Sequence, residues 1–153
     1  MKKLNLWFFA SLFVAAFTLT ACGSDDDEPT KQNRLSGIWI CTQPFESGGR
    51  AVYSLTFGTD NSCTLVKELW ESADKLHVRW IYEGKYIVTS DAEVTFTLER
   101  ILCQNPEDPE PQEVSNRQKT FKVEYRIEGN QLYVIGLGSG IGDNISEGPY
   151  VKQ

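Results

Sequence analysis

Histidine is almost missing from this chain: His77 is the only one among 153 residues. That excludes a histidine-rich metal site, and any Ser-His-Asp arrangement would have to be built around this one ring. His77 also alternates with Leu76, Val78 and Trp80, which places it on the opposite, solvent-side face of a strand, so no catalytic part is expected for it. Cysteine is sparse, at four, and the spacing contains no C-x-x-C pair, so a cysteine zinc site is not expected either. Cations are in deficit, with 15 Lys and Arg against 21 Asp and Glu. Nucleic acid, whose binding rests on cationic contacts with phosphates, is therefore not an expected partner. Docking on anionic lipid by a basic face is not expected, on the same ground. Acids are plentiful, but nothing marks two of them as facing each other across a cleft, as glycoside hydrolysis requires. The segment Gly136 to Gly142 has neither a following lysine nor a following helix, so it lacks the anion-binding mechanism of a phosphate loop and reads as a surface loop. No catalytic residue, metal or cofactor is expected.

Long apolar runs are absent except at the N-terminus. Lys2 and Lys3 make a positive start, Leu4 to Thr20 are almost wholly apolar, and Leu19-Thr20-Ala21-Cys22 closes the run. This is the layout of a secretory signal over residues 1–21, and its end resembles the lipobox of bacterial lipoproteins, L-[AST]-[AG]-C. The resemblance implies cleavage before Cys22 and acyl chains, palmitate among them, on its thiol. The run is also short for a membrane span of about 20 residues, so the chain is expected to be lipid-anchored and not spanning. Ser24-Asp25-Asp26-Asp27-Glu28 resembles the acidic export signal of surface lipoproteins in the Bacteroidota, which implies an outer-membrane, cell-surface location. Like charges in a row also make a solvated, self-repelling tether. From Gly23 to Arg34 there is no hydrophobic residue to offset the entropy of ordering, so residues 22–34 are expected to be a leash and residues 35–153 one folded domain. Removing residues 1–21 takes away two lysines and no acid, leaving 13 Lys and Arg against 21 Asp and Glu, a net charge of about −8.

From Leu35 onward the apolar period is two, and no segment carries a convincing helical stripe, although Glu68 to Lys75 could hold one helical turn. Gly37, Trp39 and Cys41 share one face of a first strand; Tyr53, Leu55 and Phe57 share one face of a second. Gly58 to Ser62 reads as a three-residue hairpin loop with Asn61 in the left-handed position, which sets Phe57 opposite Cys63 and Leu55 opposite Leu65. Trp80, Tyr82, Tyr86 and Val88 continue the alternation, with Gly84 either closing a hairpin or marking a bulge in one long bent strand. Val94, Phe96 and Leu98 form another strand, and Phe121, Val123, Tyr125 and Ile127 the next. A two-residue turn then follows, with Gly129 and Asn130 both free to take positive φ, and places Ile127 opposite Leu132. The fold class expected is all-β: an antiparallel meander of seven to eight strands, curled into a barrel or a strongly bent sheet so as to avoid open edges. With Cys22 lipidated, Cys41, Cys63 and Cys103 remain. Cys41 and Cys63 face inward and are the only pair expected to bridge if any does, three free thiols being the other outcome. Cys103, of opposite parity to Leu98, is expected to face solvent or the strand end.

Leu35-Ser36-Gly37-Ile38-Trp39 resembles the G-x-W opening of lipocalins, and the Thr56 to Asn61 and Glu83 to Val88 segments are similar to features of small lipocalin-like lipoproteins of the Bacteroidota. The resemblance implies structural roles: Trp39 closing one end of a barrel and Gly37 permitting close strand approach. It implies a non-catalytic binding protein that captures a small, partly apolar ligand at the open end. A second reading is an accessory or inhibitory subunit docking on another envelope protein, and an enzyme is the third. The proline-rich acidic stretch Gln104 to Gln118 is either a solvated excursion or a lid at the barrel mouth. Trp80, Tyr86, Phe96 and Tyr125 are expected to fill the core.

Overall fold

The structure, a computed structural model, describes residues 34–108 and 110–153. Cys22, the lipobox residues Leu19, Thr20 and Ala21, and the acidic run Ser24 to Glu28 lie outside the described residues.

Alternation builds the strands. Along β2 (Arg50–Phe57) the buried residues are Ala51, Tyr53, Leu55 and Phe57, and along β3 (Ser62–Trp70) they are Cys63, Leu65 and Lys67. The hairpin between them pairs Phe57 with Cys63 and Leu55 with Leu65, and Asn61 carries φ 70° in the turn, as the loop length requires. β1 (Gly37–Pro44) precedes them, and β4 (Leu76–Val88), β5 (Glu93–Gln104), β6 (Gln112–Ser115), β7 (Lys119–Glu128) and β8 (Gln131–Ile135) follow. A short helix, α1 (Leu137–Ile141), and β9 (Tyr150–Lys152) complete the order. All pairings are antiparallel, and β4 joins β5 while β9 joins β1, so β1 to β5 and β7 to β9 close into an eight-stranded barrel. The short β6 hangs on the far part of β5, beyond the point where β7 stops pairing. Closure leaves no edge in the ring itself, the arrangement expected for a lipocalin-like barrel.

The structure decides two alternatives, in favour of one long strand through Gly84 and of free thiols, and corrects several other expectations. Gly84 closes no hairpin: β4 runs unbroken through it, and the irregularity is one extra residue, Glu99, on the facing strand between Leu98 and Arg100. A Cβ at Gly84 would meet the Thr97 carbonyl oxygen at 2.1 Å, so only glycine lets β5 approach there. The extra residue reverses parity along β5, bringing Ile101 opposite Tyr82 and Cys103 opposite Trp80 on the inner side, so Cys103 is half-buried and does not face out. Glu68 to Trp70 belong to β3, and no helical turn forms there. The glycine-rich segment holds α1, with Leu137 buried, and is not a surface loop. In the β7–β8 turn only Gly129 takes positive φ, the pattern of a type II′ turn, while Asn130 does not. Gly37 is demanded by its own φ of 120°, its near neighbour being only the end of the Lys152 side chain. Cys41 lies level with Tyr53 and Lys67, and Cys63 level with Phe57 and Gly37, so strand register holds the two apart and both are free thiols.

Candidate functional site

One end of the barrel is solid. Trp39 is 1% exposed, and its Nε1 donates to the Leu35 carbonyl at 2.7 Å, so the ring is both packed and satisfied at the point where the chain enters the first strand. Above it Phe57 packs edge-on against Tyr86, with centroids 4.9 Å apart, and Phe96 links Phe57 to Phe121. Tyr125, Leu132, Val134 and Tyr150 fill the rest, with Leu137 of α1. The gap left among Leu55, Phe57, Leu65, Phe96, Phe121 and Leu137 is about 10 Å³, too small for any ligand.

Toward the end where β5 passes into the 104–118 connection, the interior opens. There β5 exchanges β7 for β6 as its neighbour, and a cavity of about 330 Å³ is left between Trp80, Tyr82, Ile101, Val114, Ile141, Gly142 and Asp143. That volume lies at the small end of the usual 300–1,000 Å³ for ligand sites. Val114 is its outer wall, so part of the proline-rich connection flanks the mouth as a strand. Trp80 lines this cavity and is only half-buried, unlike Tyr86, Phe96 and Tyr125, which are core. α1 is seated closely: a Cβ at Gly140 would meet the Phe121 ring at 2.2 Å, and Lys119 Nζ donates to the Ile141 carbonyl at 3.0 Å.

Asp143 is the polar floor. Its Oδ1 accepts from Lys67 Nζ at 2.8 Å and from the Asn144 N–H at 2.6 Å, and its Oδ2 accepts from the Tyr82 hydroxyl at 2.6 Å. Burial pushes the Asp143 carboxyl up, but the hydrogen bonds from Lys67 and Tyr82 and the charge of Lys67 outweigh it and hold the group below its ordinary value. Burial, then the bond to Asp143, raises the Tyr82 phenol, so it remains a donor at neutral pH. Lys67 reaches the site because it is in phase with Cys63 and Leu65 on the inner face of β3. The segment after Asp143 is fixed by Ser146, whose carbonyl accepts from Tyr150 at 2.7 Å and whose hydroxyl accepts from Gln43 at 2.8 Å.

The other residues singled out by sequence lie elsewhere. Gly37 and Trp39 belong to the solid end. His77 is on the outer side, 3.1 Å from the Glu71 carboxylate. Burial pushes the Cys63 thiol up to about 12, which leaves it a small apolar filler. Among the described residues no cluster of three His, Cys, Asp or Glu side chains is placed to hold a metal ion. Sequence reading missed Lys67 and Asp143. The inward parity of Lys67 was a visible signal, whereas Asp143 follows a glycine-rich stretch with no period to place it. The chain matches no family model and no curated protein sequence.

Proposed function

We propose that this protein is a non-catalytic binding lipoprotein that takes a small, partly apolar ligand in the mouth of its barrel. Acyl chains on Cys22 hold it to the outer membrane at the cell surface. The observation that carries the binding reading is the 330 Å³ cavity itself: two aromatic rings and three aliphatic side chains around one carboxylate, in a barrel otherwise filled. Apolar lining with a few convergent polar groups is the usual make-up of a small-molecule site. Nuclear magnetic resonance of the isotope-labelled protein against small aromatic probes tests it. Shifts gathered on Trp80, Tyr82, Ile101, Val114 and Ile141 support the reading; no shifts, or shifts elsewhere, refute it.

A second reading, docking on another envelope protein, draws on the outside of the barrel. Val151, Ile40, Ser54, Val66 and Ile81 are directly aligned across β9, β1, β2, β3 and β4 on the outer face. The small Ser54 leaves a groove of about 400 Å³ that also meets Val52 and the ion pair of Arg79 with Glu68. A partner there would offer aliphatic side chains. Ser54→Arg would abolish its co-purification and leave probe binding at the mouth intact.

A further inference from the structure

We propose that the mouth cavity selects an uncharged ligand, a compact apolar body bearing one neutral donor such as a hydroxyl or amide N–H, which donates to Asp143 Oδ2. The inference rests on the reading of this cavity as a ligand site. Asp143 is the only charged side chain among the described residues lining it. A lone carboxylate among apolar groups would draw a cation, but this one has its counter-charge built in. The Lys67 side chain is 10% exposed and meets Oδ1 at 2.8 Å, so it is held beneath the cavity and is not free to leave.

The acceptor count then fixes what remains. An ionised carboxylate offers about four acceptor positions. Lys67 and the Asn144 N–H occupy both on Oδ1, and Tyr82 occupies one on Oδ2. One position on Oδ2 is left, on a side chain that keeps 29% of its surface exposed. The floor therefore presents one acceptor and almost no net charge. A cationic ligand would share the carboxylate with Lys67 and be repelled by it where water screens poorly. An anion would face the carboxylate directly. A neutral donor loses little hydration on entering and gains a hydrogen bond to an ionised acceptor, the stronger kind.

Four probes on one naphthalene body separate these cases: 2-naphthol, 2-methoxynaphthalene, 2-naphthylmethylamine as its ammonium ion, and 2-naphthoate. Each is titrated calorimetrically at pH 7 into the full chain carrying Cys22→Ala. The expected order puts 2-naphthol about tenfold tighter than the methyl ether, with both ions weaker than 2-naphthol. Lys67→Met removes the counter-charge and should make the ammonium probe the tightest of the four. If that variant does not fold, the order in the parent decides alone. A methyl ether that binds as tightly as 2-naphthol, or an ion that binds tightest in the parent, overturns the selectivity while leaving the cavity a ligand site. Failure of all four to bind overturns both.

Discussion

Lys67 Nζ and Asp143 Oδ1 meet at 2.8 Å in the barrel mouth, joining the inner face of β3 to the segment behind α1 across 76 positions of sequence. An ion pair in such a place is weak as a stabiliser, because removing two charges from water cancels much of their attraction. An apolar pair would hold the same two segments together. What the pair provides beyond packing is a carboxylate kept ionised at the floor of an apolar cavity, with its charge already balanced.

Asp143→Asn alone should lower stability by about 3 kcal/mol, since it leaves Lys67 nearly buried without a counter-charge. Adding Lys67→Met should restore most of that loss, so urea unfolding of the two single variants and the double variant will show strong coupling. The pH dependence has a definite sign. Because the folded carboxyl lies below its ordinary value near 3.9, its contribution is fully present above that value and is lost as pH falls through the folded pKa. The stability gap between parent and Asp143→Asn should therefore be full between pH 5 and 7, as a rough window, and narrow below about pH 4. A gap independent of pH down to strong acid would show that Asp143 is not the ionised partner.

Trp39→Ala should cost about 3–5 kcal/mol, in the range of large core truncations. Trp39→Phe keeps most of the ring but loses the Nε1–H bond to Leu35 and should cost about 1–2 kcal/mol. Equal denaturant midpoints for Trp39→Ala and the parent would mean that the ring does not plug the barrel end.

Strand register was legible where local chemistry decides it. The loop from Gly58 to Ser62 fixes Phe57 against Cys63, and the apolar faces then agree for the whole hairpin. Parity failed at Cys103, because one extra residue, Glu99, reverses it and nothing in the local pattern announces a bulge whose partner is a glycine on the facing strand. α1 and β9 were illegible for a different reason: their stability is tertiary. The helix has two interior glycines and holds its place through buried Leu137 and the contact of Gly140 with Phe121. β9 is three residues long and counts as a strand only because β1 and β8 lie on either side of it. Half of the candidate site was visible in the inward phase of Lys67 and the alternation of Trp80 with Tyr82; Asp143 and Val114 come from segments whose position depends on the closed barrel.

The three described cysteines should behave as free thiols. In the Cys22→Ala protein a thiol reagent should modify Cys103 first, since it is half-buried near the mouth, and Cys63 only on unfolding. Three thiols should titrate in denaturant without reductant. A count of one would reveal a bridge and contradict the three free thiols of the structure.

Lipid attachment has its own assay. Cys22→Ala should leave the precursor unprocessed or release the protein from the membrane fraction, with loss of labelling by a palmitate analogue. Unchanged processing and labelling of the variant would contradict the anchor.

Native mass spectrometry of the protein purified from its host tests ligand binding at the mouth most directly. Val114 is exposed on β6, so Val114→Trp should fill the cavity without disturbing the core. The parent is expected to carry a small-molecule mass that is absent from Val114→Trp. A parent that carries none, or a mass retained equally by both proteins, would contradict ligand capture in the barrel mouth.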